Sequence, residues 1–536
     1  MKRNLLGISL ITMGCLYGIL AGVIILVFIL FDLPVLYGIG ISIIILILQF
    51  LISPFLTDLS MKWFYRAKFD TEIPEYLKEF IEEVCKKYNM KYPRIGFIDD
   101  GAPNAFTYGH TKNDARVILT RGIFELLKEE EVKAVVAHEL GHAKHYDMLF
   151  MTVAQLVPLI LYGVYQLLID SDSDNKGSIW LAIVAYVLYI ISQYIVLWLS
   201  RTREYYADYF AVCETKNPNA LAEALVKIGF GLCTAKEKDE VEENEDKKNK
   251  KKKERKLSVS SVNALGIFDS KSSKSLVVTS YTDNGVSKDN IKNAMKWELW
   301  NIWAKFYELS STHPLISKRL KAISSMSKDF NQEEYINFDL VKEESYVDDF
   351  ILELIIKYLP VISLIITAVF FIITEKKLVI GIGGLVTVGL SLFKYMYIHP
   401  KNNYPKRDVS GLLGEVKVSG ITSIPCELEG IVIGRGNPGY IFNEDFVIKD
   451  KTGIIFLDYN QPLFIVNKIF ALFKSSSYFD KIIQVRGWYR RSPVPYVEIY
   501  EMIIDGKVKK VYTYLVSIIL HIILFAIFTY ILVISL

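Results

Sequence analysis

Of the chain's 536 residues, 51% are hydrophobic and 13% aromatic, and its mean hydropathy is positive, a composition that excludes an ordinary soluble enzyme and points first to membrane spans. The 62 basic and 59 acidic side chains nearly cancel, to +3, so no electrostatic footprint calls for nucleic acid as a partner. Cys15, Cys85, Cys213, Cys233 and Cys426 lack CxxC spacing, which argues for isolated reduced thiols and against a disulfide framework or a thiolate metal site.

Two nearly uncharged runs, residues 7–31 and 34–56, are each long enough, at about 1.5 Å per residue, to cross a hydrocarbon core of about 30 Å, and they read as a hairpin turning at Asp32. Lys2 and Arg3 precede the first run as in a signal peptide, but its length and the lack of a small-residue cleavage site mark a retained anchor. Further runs at 148–169, 178–199, 351–373, 378–397 and 511–535 bring the expected spans to seven. Lys2, Arg3, Lys62 and Arg66 flank the first hairpin, and Arg201 and Arg203 flank the second, whose turn DSDSDNKG is mostly acidic. Basic residues stay on the cytoplasmic side, so both hairpins place the N-terminus inside. The turn with Glu375, Lys376 and Lys377 runs against the same count for the third hairpin. On this topology the polar segments 57–147, 200–350 and 398–510 share the inner face.

Within the first polar segment, Asn104–His110, TKND and ARVILT read as a β-hairpin, with His110 a cleft-wall or loop residue. EEEVKAVVAHELGHAKH, residues 129–145, is built of good helix formers, with Val132, Val135 and Val136 at helical spacing. Four residues advance a helix by about 400°, so His138 and His142 project from one face, where two imidazole nitrogens can hold one Zn²⁺ at about 2.0–2.1 Å. Glu139 stands beside them, placed to take a proton from metal-activated water. The plain alternative is an accidental sharing of a solvated helix face. With seven histidines in the whole chain and apolar residues around the motif, the zinc helix is the stronger reading. His145 reads as a surface or headgroup contact.

A catalytic zinc needs a third protein ligand and one open position. The HELGH helix is expected to run directly into the span near Met148, and the chain returns through 178–199. His142, six residues before the crossing, and Glu204, five after the return, then stand at about the same height. Antiparallel helices pack about 8–10 Å apart, a gap that side chains bridge. In SRTREYYADYF, Glu204 and Asp208 share a face at i and i+4, which suits a ligand and an outer carboxylate orienting a histidine. The same run alone also fits an interfacial helix with Tyr and Arg anchors, and Arg203 is a rival partner for Glu204.

Residues 235–256, acidic then basic, are too polar to fold alone and read as a disordered insertion. Its KKKKERK block suits anionic headgroups or its own acidic half. Residues 404–510 alternate apolar and polar in short runs, with turn signals at Lys451–Gly453 and Arg491–Pro495, indicating a small antiparallel β-domain or barrel. GRGNPG, residues 434–439, fits GxGxxG, but Pro438 and the strand-like continuation suit a loop and not a nucleotide-binding turn. Trp488, Tyr489, Arg490 and Arg491 read as barrel packing or a membrane-surface contact in preference to a ligand patch.

VVAHELGHAKHYD, SRTREYYADYFAV after a hairpin of spans, and STHPLISKRLKAI near residue 311 together resemble the HtpX-type membrane zinc metalloproteases, relatives of the CAAX prenyl proteases, over residues 1–330. The resemblance implies that Glu204 completes a site for one Zn²⁺ per chain, with Asp208 as its outer partner. PNAFTYGH, residues 103–110, is similar to the family's Asn-Ala-Phe segment, which would make Asn104, Ala105 and Phe106 part of an edge strand lining the cleft. An extended substrate can add itself to such a strand through main-chain hydrogen bonds. The resemblance also implies that His313 and Arg319 lie near the catalytic centre and help hold the developing oxyanion. From the residues alone, His313-Pro314 is equally a helix start and Arg319 equally an ion-pair partner. The chain beyond residue 330 departs from the family pattern.

The expected fold class is an α-helical polytopic membrane protein with a zincin-like α+β protease domain and a C-terminal small β-domain. A transmembrane hairpin would occupy 1–56, the protease domain with its own two spans 57–350, another hairpin 351–397, the β-domain 398–510 and a last span 511–535. The expected function is a membrane-embedded zinc endopeptidase in which His138, His142 and Glu204 hold the metal and Glu139 does the proton transfers. Membrane-associated or misfolded proteins, cut at the cytoplasmic face, are the substrate class through the HtpX resemblance alone. A CAAX-type processing protease and a non-catalytic zinc-containing binding or sensory protein are the rivals. A metal transporter would need ligands deep inside its spans, whereas these flank them.

Overall fold

In hydrocarbon each backbone amide must find its partner within its own segment, so the long apolar runs become helices. The computed structural model describes residues 5–30, 35–101, 103–169, 176–228, 281–282, 285–286, 288–338, 340, 342, 344–400, 403–435, 444–473, 475–492 and 494–536. The chain divides into two compact units, residues 1–273 with 308–337 and residues 274–307 with 338–536. Residues 274–307, which fall inside the expected 57–350 domain, thus group with the second unit. The 235–256 insertion, Cys233, most of the DSDSDNKG turn and most of GRGNPG lie outside the described residues.

In the first unit, α1 (Leu5–Leu30) and α2 (Val35–Phe64) occupy the first two apolar runs. After β1 (Lys68–Phe69) and α3 (Glu75–Lys87), the chain forms β2 (Arg94–Ile98), β3 (Ala105–Gly109) and β4 (Ala115–Thr120). These make one sheet in the order β1-β2-β4-β3, with β2 and β4 parallel and β3 antiparallel to β4 at the edge. Next come α4 (Arg121–Leu126), α5 (Glu129–Lys144), α6 (Asp147–Ile169) and the 40-residue α7 (Lys176–Thr215). Leu16, Leu20 and Val23 of α1 pack against Ala154, Val157 and Leu161 of α6 and Ala185, Val196 and Leu199 of α7. Water does not drive helices together inside lipid, so such contacts rest on close packing, which the small Ala154 and Ala185 permit.

In the second unit, α8 (Val347–Thr374), α9 (Lys377–Ile398) and, at the end of the chain, Thr513–Ser535 are long apolar helices. A Cβ at Gly381 of α9 would stand 2.8 Å from the Leu532 Cα, so glycine is what lets these two helices touch. Between them lies a barrel of β5 (Ile424–Arg435), β6 (Phe446–Lys449), β7 (Ile454–Asp458), β8 (Ile482–Ser492) and β9 (Val494–Ile504), extended by β10 (Lys507–Lys510). Strands pair in the ring order β5-β6-β7-β9-β8, and β8 closes onto β5. Pairing is antiparallel except between β7 and β9, the Greek-key arrangement of an OB-type barrel. Trp488, Tyr489, Arg490 and Arg491 are all buried: Arg490 pairs with Glu498 at 2.7 Å and Arg491 lies over the Trp297 ring, so this run is barrel packing. Helix α10 (Phe464–Phe473) joins β7 to β8, and the last helix is labelled α11. Among the described residues five helices, α6, α7 from Ile179, α8, α9 and α11, are long and apolar enough to cross a membrane, and the protein is a multi-pass membrane protein.

Candidate metal and catalytic site

Helix α5 starts well and is buried nearly all round. Glu129, Glu130 and Glu131 fill its first turn, favourable at the positive end of the helix dipole, and the Glu131 carboxylate accepts from the Lys128 amide at 2.9 Å. One turn apart on this helix, the imidazoles of His138 and His142 stand perpendicular, with their Nε2 atoms 3.1 Å apart. Gly141, between them in sequence, lets α5 close on α7, since a Cβ there would lie 3.2 Å from the Ala207 Cα and 3.1 Å from the Phe210 ring. That approach brings Glu204 in: its Oε2 lies 3.6 Å from His138 Nε2 and its Oε1 3.7 Å from His142 Nε2.

These three residues offer donor atoms all within 4.8 Å of one another. Ligands around a tetrahedral ion at about 2.1 Å stand about 3.4 Å apart, close to the spacings seen here. The buried Glu204 Oε2 has no aligned hydrogen-bond donor, its charged neighbours being His138 Nε2 at 3.6 Å and Arg319 Nη1 at 3.2 Å. Charge gives the same answer. Glu139, Asp147, Glu204 and Asp208 are buried, and among the described residues the buried guanidiniums seen to contact them are Arg203, on Asp147, and Arg319, on Asp208 and Glu204, leaving an excess of negative charge for a dication to cancel. Burial lowers the His138 value, but Asp208 and Glu204 outweigh it and carry it to about 9, a sign of the same excess of negative charge. His142 is moved the other way, by burial and then by the charge on His138.

Both imidazoles are aimed by carboxylates. Asp208 Oδ1 lies 3.0 Å from His138 Nδ1, a close ion-pair contact without an aligned hydrogen bond, and Asp147 Oδ2 is hydrogen-bonded to His142 Nδ1 at 2.7 Å; a proton at each Nδ1, drawn to its carboxylate, leaves each Nε2 lone pair for a metal. Asp208, expected from the sequence, is clamped by Arg319, whose Nε and Nη2 donate at 2.9 and 2.6 Å. Arg319 Nη1 also reaches Glu204 Oε2 at 3.2 Å, and His313 Nδ1 lies 3.2 Å from Glu204 Oε1. The loop before His313 is pinned by Arg201, which donates to the carbonyls of Glu308, Leu309 and Ser311.

Asp147 was not anticipated, because α5 does not run directly into the span. Tyr146 sits at φ 59°, a left-handed setting that costs a non-glycine residue about 1–2 kcal/mol. The break lets Asp147, at the head of α6, turn back to His142. Nor does Arg203 pair with Glu204: it donates to Asp147 and, at 2.6 Å, to Ser9 of α1. His145 is no surface contact; its ring lies edge-on to Tyr206 and Phe210, and burial, then Lys144, push it down to about 3.

The hairpin forms as expected, Ala105 opposite Leu119 through Gly109 opposite Ala115. Asn104, Ala105 and Phe106 turn their side chains into the core, so what β3 presents is its main-chain edge. Thr107 Oγ1 donates to the Glu139 carbonyl at 3.3 Å, tying β3 to the metal helix. Asp58 of α2 accepts from Tyr108 at 2.8 Å and twice from Arg116 at 3.2 Å, fixing the same strand from the other side. His110 is in the connecting loop, paired with Asp114.

A helix-borne His-Glu-x-x-His with a glutamate from a later helix, set in a membrane protein, defines a metallopeptidase class. Residues 73–327 match peptidase family M48. A "Protease HtpX homolog" of Methanothermobacter thermautotrophicus is 42% identical over 181 residues, 34% of this chain and 68% of that protein. The namesake in Picrophilus torridus is 32% identical over 228 residues, 41% of this chain and 70% of the relative; that in Archaeoglobus fulgidus is 36% identical over 186 residues, 34% and 52% respectively. The crystal structure of S. mikatae Ste24p is similar at 18% identity and a TM-score of 0.29, over 40% of this chain and 55% of that one, too slight a likeness to argue from. The chain belongs to peptidase family M48.

Proposed function

We propose that the protein is a zinc-dependent endopeptidase that hydrolyses peptide bonds of membrane-associated or misfolded proteins at the cytoplasmic face. The observation that carries this reading is the convergence of His138, His142 and Glu204, each imidazole backed by its own carboxylate. Zinc, when bound there, supplies Lewis acidity that polarises the scissile carbonyl and acidifies water. Glu139 takes the proton of the attacking water and returns it to the leaving amine. An extended substrate adds itself to β3 at Asn104–Phe106, held by main-chain hydrogen bonds. His313 donates to the developing oxyanion. Arg319 acts through Asp208 and Glu204 as a positioning residue, since its donors are directed at those carboxylates. The cytoplasmic placement rests on Lys2, Arg3, Lys62 and Arg66, which flank the first hairpin. Purified wild type and Glu139→Gln, compared on casein or on self-cleavage with metal measured in both, test the proposal. The variant keeps its zinc and loses about 100- to 10,000-fold in rate; undiminished hydrolysis by a zinc-loaded Glu139→Gln would overturn it.

A further inference from the structure

Helix α10 is turned inside out. Of its two polar residues, Lys468 pairs with Glu444 at 3.0 Å and Asn467 is 3% exposed, donating to Asn460 Oδ1 at 3.0 Å and the Gln461 carbonyl at 3.1 Å and accepting from the Gln461 amide at 2.8 Å. Phe470 faces inward as well, stacked on Tyr459. Outward, the helix and its leading residue present Leu463, Phe464, Ile465, Val466 and Ile469, of which the first three are 67%, 71% and 70% exposed. A soluble barrel has no use for such a face, and a contiguous exposed apolar patch of this kind marks an interaction site.

Neighbouring contacts show what covers it. The residues leading into α10 are tied to the start of the membrane helix α11: Thr513 donates to the Asn460 carbonyl, the Tyr512 amide to Gln461 Oε1 at 3.2 Å, and Gln461 Nε2 to the Lys510 carbonyl at 3.1 Å. The head of α10 therefore lies at the depth where α11 enters the bilayer. Lys507, Lys509 and Lys510 precede that entry, as cations do at headgroups.

We propose that Leu463–Ile469 lies in the plane of the membrane, its apolar face sunk at the headgroup and acyl boundary, so that the barrel is docked on the bilayer and not merely tethered to it. The occupant of the patch is lipid, continuous with the lipid around α11. The test uses the full chain reconstituted into phosphatidylcholine and phosphatidylglycerol bilayers, with Phe464→Trp and, independently, Ile465→Trp. Lys451→Trp, in the exposed β6–β7 turn, is the control. The signal read is the emission added over the seven natural tryptophans. Lipid brominated high on the acyl chain removes roughly half or more of the emission added at 464 and 465 and spares that at 451, while aqueous iodide does the reverse. Iodide quenching at 464 equal to that at 451 would show a patch in water. Protection from both quenchers would show a second copy or another protein over it, and either result overturns the proposal.

Discussion

At the scale of single residues, the site is a charge problem set by an excess of buried negative charge. Four buried carboxylates face two guanidiniums, and each imidazole is held by a carboxylate at Nδ1. Asp147→Asn and Asp208→Asn each keep the shape but weaken the hold on the imidazole, so zinc affinity falls about 10- to 100-fold for each, measured by competition with a chromophoric chelator. A variant that binds zinc as the wild type does would show that its carboxylate does not orient the ligand. His138, Glu139 and His142 were legible because helix periodicity is local and needs no knowledge of the rest of the fold. Asp147 was not, because it depends on one residue, Tyr146, leaving the helical region. Arg203 carries the same lesson: next to Glu204 in sequence, it points along another face of α7, where Asp147 and Ser9 meet it.

Among elements, the step from sequence to site was the height argument, that a membrane hairpin returns a carboxylate to the level it left. It holds because α7 continues unbroken from the membrane into the site and because Gly141 allows contact with α5. The barrel strands were legible from alternation, whereas α10 was hidden, since an apolar run looks the same whether it faces a core or lipid. The barrel also makes a prediction of its own. Burial first, then Asp445 and Glu498, push Asp458 of β7 up to about 7, above its ordinary value of about 3.9. The folded barrel then keeps a proton that the unfolded chain releases, so the contribution of Asp458 to stability is fully present below about pH 4 and is lost as pH rises to about 7. Thermal unfolding of the reconstituted wild type and Asp458→Asn between those limits should show the wild type losing stability relative to the variant as pH rises; a difference that does not change with pH would show that Asp458 does not hold the proton.

At the scale of the molecule, the family match ends at residue 327 and the second unit adds three apolar helices and a barrel to it. Nothing in the metal motif announces that addition; it was legible only as composition, because long apolar runs and alternating strands each carry their own period. One feature of the first unit bears on how the enzyme comes into being. Its ligands are split, the imidazoles upstream and the carboxylate downstream of the α6–α7 hairpin, so a nascent chain holds two-thirds of its donor set until that hairpin has been threaded through lipid. Ribosomal synthesis without vesicles should yield a chain unable to retain stoichiometric metal, and adding vesicles during translation should restore retention. Membrane insertion of the α6–α7 hairpin would then be the step that completes the donor set.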